Sequence, residues 1–74
     1  MFEIFPILTI TLDAPITEER IRHMCFLYAA DIVHIQWISP LEVKIEFNTI
    51  ENAAEAGNHL KSEWGLRVLQ DCTF

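Results

Sequence analysis

Residues 41–47 alternate without a break: Leu41, Val43, Ile45 and Phe47 are apolar, while Glu42, Lys44 and Glu46 are charged. A period of two belongs to a β-strand with one dry face and one wet face. Phe2 to Leu12 alternates in the same sense. Phe2, Ile4, Leu8, Ile10 and Leu12 share one face, and Glu3, Phe5, Ile7, Thr9 and Thr11 share the other. β-Branched and aromatic residues dominate this first strand. Pro6 has no N–H to give to a ladder, so a bulge or an unpaired N–H side is expected beside it.

After Asp13-Ala14-Pro15 the period changes to that of a helix. Thr17 is placed to cap it, and Glu18 and Glu19 put negative charge at the positive end of its dipole. Ile16 and Ile21 suit a hydrophobic staple. Ile21, Met24, Cys25 and Tyr28 follow the i, i+3, i+4, i+7 rule and form its buried stripe. Glu19, Arg22, His23 and Phe26 fall on the opposite side, where Phe26 is out of place among charges.

Ile32 to Ile38 reads as a second strand, with Val33, Ile35 and Trp37 inward and Ile32, His34, Gln36 and Ile38 outward. For those inward residues to share a face with Leu41, Val43 and Ile45, the hairpin through Ser39-Pro40 needs an odd loop of three or five residues. Asn48 or Thr49 caps a second helix, and Ile50, Ala53, Ala54, Gly57, Leu60 and Trp64 make its inner stripe. Its outer side carries Glu51, Asn52, Glu55, Asn58, His59 and Glu63. Gly65 stands where a left-handed C′ residue belongs. Leu66 to Phe74 is the last strand, with Leu66, Val68, Cys72 and Phe74 inward and Gln70 as the exception.

The order β-α-β-β-α-β, with right-handed crossovers, leaves few ways to pack so short a chain. It resembles the ferredoxin-like α+β sandwich, a four-stranded antiparallel sheet in the order 4-1-3-2 with both helices on one face. Residues 1–74 are read as a single such domain. The expected core is Ile4, Leu8, Ile10, Ile21, Met24, Cys25, Tyr28, Val33, Ile35, Trp37, Val43, Ile45, Phe47, Ala54, Leu60, Trp64 and Val68. The uncovered sheet face is expected to carry Phe5, Ile7, Thr9, Ile32, His34, Gln36, Glu42, Lys44, Glu46, Arg67, Leu69 and Asp71.

Composition sharpens the functional question. Hydrophobic residues make up 51% of 74, more than so small a domain hides easily. Some of that surface is expected to meet another molecule. Eleven acidic residues against five basic ones leave a formal charge of −6, which opposes direct nucleic-acid binding. An RNA-binding sheet would also need stacking aromatics where Glu42, Lys44 and Glu46 stand. Cys25 and Cys72 form no C-x-x-C pair, so a reducing, cytoplasmic setting is expected, with a Cys25–Cys72 bridge the less favoured arrangement. The N-terminus has no basic n-region and does not read as a signal peptide. No apolar run approaches the length of a membrane span.

No catalytic motif emerges. His23, His34 and His59 lie on different elements without metal-ligand spacing, and Gly57 and Gly65 make no phosphate loop. His34 beside Lys44 or Glu46 is more simply a cross-strand contact than an acid–base couple. No cofactor and no metal are therefore expected. The pattern points instead to a small non-enzymatic protein-interaction module that regulates or inhibits a protein partner, of a size that suits a phage- or mobile-element-encoded chain. Two surfaces are candidates. On the open sheet, an apolar patch of Phe5, Ile7, Ile32 and Leu69, framed by Glu42, Lys44, Glu46, Arg67 and Asp71 and with His34 on the same face, would serve a partner or a homodimer. On the helices, Glu18, Glu19, Phe26, Glu51, Glu55 and Glu63 would face a basic groove. The alternative is a dimeric α+β-barrel that binds a ligand, or a small enzyme, with Gln70, Tyr28 and His34 as the polar groups of a pocket between sheet and helices.

Overall fold

Local chemistry sets most element boundaries where the periodicity places them. In the computed structural model, which describes residues 3–73, the chain runs β1 (Glu3–Thr11), α1 (Glu18–Cys25), a 3-10 turn (Phe26–Asp31), β2 (Ile32–Ser39), β3 (Glu42–Phe47), α2 (Ile50–Trp64) and β4 (Arg67–Thr73). Phe2 and Phe74, expected on inner strand faces, and the side chain of Cys72 lie outside what is described. Thr17 caps α1, its Oγ1 accepting from the Arg20 N–H at 3.1 Å. Of the two residues placed to cap α2, Thr49 does so, accepting from the Asn52 N–H at 3.1 Å. Gly65 ends α2 at φ 63°, where a side chain would be strained, and the Leu66 N–H returns to the Leu60 carbonyl.

The sheet is antiparallel throughout, in the order β2-β3-β1-β4. Read from its other edge this is the expected 4-1-3-2. One face carries both helices. Leu8, Ile10 and Leu12 of β1 and its end, Val43, Ile45 and Phe47 of β3, and Val68 of β4 are buried there. They pack in one cluster with Ile21, Met24 and Cys25 of α1 and Ala53, Ala56 and Leu60 of α2. All the buried side chains among the described residues are apolar.

Small residues bring α2 close to the sheet. A Cβ at Gly57 would stand 3.4 Å from Val68 Cγ1 and 3.5 Å from Leu8 Cδ2, which is ordinary contact. Gly57→Ala should therefore stabilise the domain by about 0.5–1 kcal/mol, the helix-propensity gain. Gly57→Leu should destabilise it by about 1–3 kcal/mol through overpacking. Urea midpoints of the two variants read the opposite signs.

β2 departs from the expected pattern in three linked ways. Ser39 pairs with Glu42, so the hairpin turns on two residues, Pro40 and Leu41, not three or five. Ile38 is an extra residue between the Trp37–Val43 and Ser39–Glu42 pairs, and this bulge supplies the parity change that an odd loop would have made. A second bulge at Val33 lies between the Ile32–Phe47 and His34–Glu46 pairs. It turns Ile32, expected on the open face, onto the core, and leaves Val33, expected in the core, 56% exposed. Ile35 and Trp37 pack half-buried against the cluster.

β1 has the irregularity that Pro6 requires. Phe5, Pro6 and Ile7 oppose Asp71 alone, between the Ile4–Cys72 and Leu8–Gln70 pairs. The Phe5 carbonyl is taken up by Gln70, whose Nε2 donates to it at 3.2 Å. The polar exception in β4 is thus the group that satisfies the bulge. Three other expected core residues sit further out. Ile4, past the bulge, is 42% exposed. Ala54 is half-buried because α2 faces the core through Ala53, Ala56, Gly57 and Leu60. Trp64, the last residue of α2, is 37% exposed.

Candidate functional site

The two surfaces picked out from the sequence differ sharply in chemistry. On the open face, Thr9 of β1 lies between Lys44 of β3 and Leu69 of β4, and Thr11 lies between Glu42 and Arg67. Lys44 Nζ reaches over to Asp71 Oδ2 at 2.9 Å, and Thr9 Oγ1 donates to Asp71 Oδ1 at 2.8 Å. His34 stands opposite Glu46, and Gln36 opposite Lys44. The middle of the face therefore carries the Lys44–Asp71 ion pair among further charged side chains, not the apolar centre expected. Phe5 and Ile7 are half-buried, Ile32 is on the other side, and Leu69 is the large exposed apolar group, at the β4 edge. Burying this face flat against another protein would desolvate Lys44, Asp71, Glu42 and Glu46 at a cost.

The helix side carries a group of aromatic and imidazole rings that no single element predicts. α1 was expected to continue to Tyr28, but it stops at Cys25, because Phe26 takes φ 54° and ψ −117°. No glycine or proline marks that break. Beyond it the chain tightens into the 3-10 turn, and Phe26 is turned outward to 65% exposure. Its ring stacks on His59 of α2, with centroids 6.1 Å apart and 22° between planes. Tyr28 tilts against the same imidazole, also at 6.1 Å and with 55° between planes. One turn away, His23 meets Trp64 edge-on at 6.3 Å, and the Arg20 guanidinium lies 5.0 Å from the centre of a Trp64 ring.

These rings border two hollows open to solvent that share His59. One, of about 310 Å³, is lined by His23, Phe26, His59, Glu63 and Trp64. The other, of about 580 Å³, is lined by Tyr28, Glu55, Asn58, His59, Lys61 and Ser62. Of the acidic residues singled out on the helices, Glu55 and Glu63 thus stand at the rim. Glu19 lines the adjoining surface with Arg20 and His23. Glu18 is engaged by Arg22 at 3.6 Å, and Glu51 is in the first turn of α2. Between α2 and the sheet, by contrast, the gap lined by Leu8, Ala54, Gly57, Val68 and Gln70 is about 90 Å³, far smaller than the ~300–1,000 Å³ of a metabolite site.

Phe26 was visible in the sequence as an aromatic among charges. His59 and Trp64 were not, since one reads as an outward polar residue and the other as the end of an apolar stripe. Among the described residues no group of three His, Cys, Asp or Glu side chains is placed to hold a metal ion, and no helix is long and apolar enough to cross a membrane. Comparison with known protein families, with curated proteins and with solved structures finds no match. What the fold and the site define is a small α+β domain with an antiparallel four-stranded sheet, two helices on one face, and an aromatic notch on the helix side.

Proposed function

We propose that this chain is a non-enzymatic protein-interaction module of ferredoxin-like architecture, which regulates or inhibits a protein partner by docking it on the aromatic notch. The observation that carries this reading is Phe26: a bulky residue, 65% exposed, held at positive φ. Such a backbone costs about 1–3 kcal/mol and persists where the surroundings over-determine it, most often at functional sites. Aromatic side chains that are already stacked lose little rotamer freedom on binding, which is why they anchor interfaces. The partner segment that fits carries an apolar or aromatic anchor for the notch and basic flanks for Glu19, Glu55 and Glu63. A net charge of −6 steers such a segment inward.

Selection from a random peptide library on the immobilised protein tests the reading. Peptides with an apolar anchor and flanking Lys or Arg should be enriched, and Phe26→Ala or Trp64→Ala should weaken them by about thirtyfold, as for a hot-spot residue. Peptides that bind Phe26→Ala as well as the parent would end it. Phe26→Gly separates strain from contact. It should lose peptide binding as Phe26→Ala does, yet raise unfolding stability by about 1 kcal/mol, because glycine adopts this backbone freely. A thermal or urea melt of the two variants shows the difference.

A further inference from the structure

A four-stranded sheet has two unpaired edges, and here they are built differently. β2 carries bulges at Val33 and Ile38 and runs into Pro40, so its outer N–H and C=O groups do not form an even row. Bulges and proline are the devices that keep an edge from pairing. β4 has none of them. Its seven residues, Arg67–Thr73, contain no proline, and the bulge in its pairing with β1 lies on the β1 side. On the open face it presents Arg67, Leu69 and Asp71, with Leu69 65% exposed. Arg67 is exposed and makes no ion pair among the described residues.

That row reads positive, apolar, negative, at even spacing. Laid antiparallel against itself about Leu69, it is self-complementary. Leu69 meets Leu69 of the second copy, and Arg67 meets Asp71 at both ends. We propose that β4 pairs with β4 of a second copy of this chain about a two-fold axis at Leu69, making one continuous eight-stranded sheet. The register is set by two symmetric Arg67–Asp71 pairs, and it keeps every residue of β4 on its own face of the sheet. Asp71 already accepts from Thr9 through Oδ1 and from Lys44 through Oδ2, and its side chain remains 22% exposed, so Arg67 of the second copy would share a carboxylate that these two contacts hold in place. Edge pairing leaves the ionic middle of the open face in water, where stacking two faces would bury it. This assembly is independent of the docking notch, which lies on the helix side.

The test is sedimentation of the full chain over ~1–100 μM, a range matched to a short edge interface. A reversible dimer is expected. Arg67→Asp sets Asp against Asp71 of the second copy, and Asp71→Arg sets Arg against Arg67, so each alone should weaken the dimer by about ten- to thirtyfold. An equimolar mixture of the two should associate again, since every facing pair is then opposite in sign. If Asp71→Arg fails to fold for want of its contacts with Lys44 and Thr9, Leu69→Cys in a Cys72→Ser background decides. Residues facing across a two-fold pair have Cα atoms ~4.5–5.5 Å apart, within disulfide range, so oxidation should yield a cross-linked dimer, while Val33→Cys in the same background should not. A parent chain that stays monomeric across the range would overturn the proposal. So would a dimer that Arg67→Asp leaves intact, or a Leu69→Cys chain that does not cross-link.

Discussion

Phe47→Ala is expected to cost about 3–5 kcal/mol, the usual price of truncating a buried phenylalanine. Phe47 is 1% exposed, closes β3 opposite Ile32, and belongs to the cluster that both helices share. Removing its ring leaves a hole at the junction of sheet and helices, which the β-ladder is too stiff to close. At roughly 0.05–0.15 kcal/mol per residue, a chain of 74 has about 4–11 kcal/mol in all. The variant should thus lose a large share of that stability, read as a lowered urea midpoint by far-UV circular dichroism. Leu69→Ala, an apolar truncation at a 65% exposed site, should move the monomer's stability by less than about 0.5 kcal/mol. Equal effects of the two would refute the placement of the core.

Cys25 sets an alkaline limit. Its thiol is free and fully buried, and burial pushes its pKa up from 9.0 to about 11, with Arg22 pulling weakly the other way. The folded chain therefore holds this proton where the unfolded chain has released it. The resulting stability is fully present below the unfolded pKa near 9 and is lost as pH rises through the folded value. The loss should reach about 2 kcal/mol by pH 11. Cys25→Ala has no proton to release, so the stability gap between parent and variant should narrow by that amount between pH 9 and 11. A gap that stays constant would mean the thiol is not buried in solution. Reagents that need the thiolate should likewise leave Cys25 unmodified in the native protein at pH 8 and label it on unfolding.

Strict alternation was a sound guide where strands are regular, and it failed where they are not. Val43–Phe47 and Leu8–Leu12 showed their faces openly because the sheet buries one side of each continuously, whereas Leu41, which continued the pattern, lies in the turn and is 42% exposed. In β2 the pattern holds two adjacent apolar pairs, Ile32-Val33 and Trp37-Ile38, and each pair contains a bulge. Either member of such a pair can face inward, and the choice is made by the partner strand, at a distance along the chain. Pro6 announced its bulge because a missing N–H is a local fact. Gln70, set aside as an exception, turned out to be the other half of that bulge. On the candidate site, Phe26 was readable as misplaced. Its stacking on His59 was not, since helix α1 had to end early for the ring to swing out. Trp64 followed the apolar spacing of α2, yet at the helix end it meets His23 and Arg20 of α1 and stays 37% exposed. Periodicity specifies direction from the helix axis and says nothing about whether anything is there to meet the side chain.

The double bulge of β2 has a bearing on how much of this protein a cell could hold in solution. A sheet with two open sides adds subunits head to tail without limit, and a chain that is 51% hydrophobic is the kind that turns such stacking into fibrils. Val33 and Ile38 give the sheet a dead end. Pairing at the opposite side can then proceed once, by a symmetric closure that consumes both reactive sides. Light scattering should therefore plateau with concentration, and straightening β2 by deleting both Val33 and Ile38 would open the path to polymer.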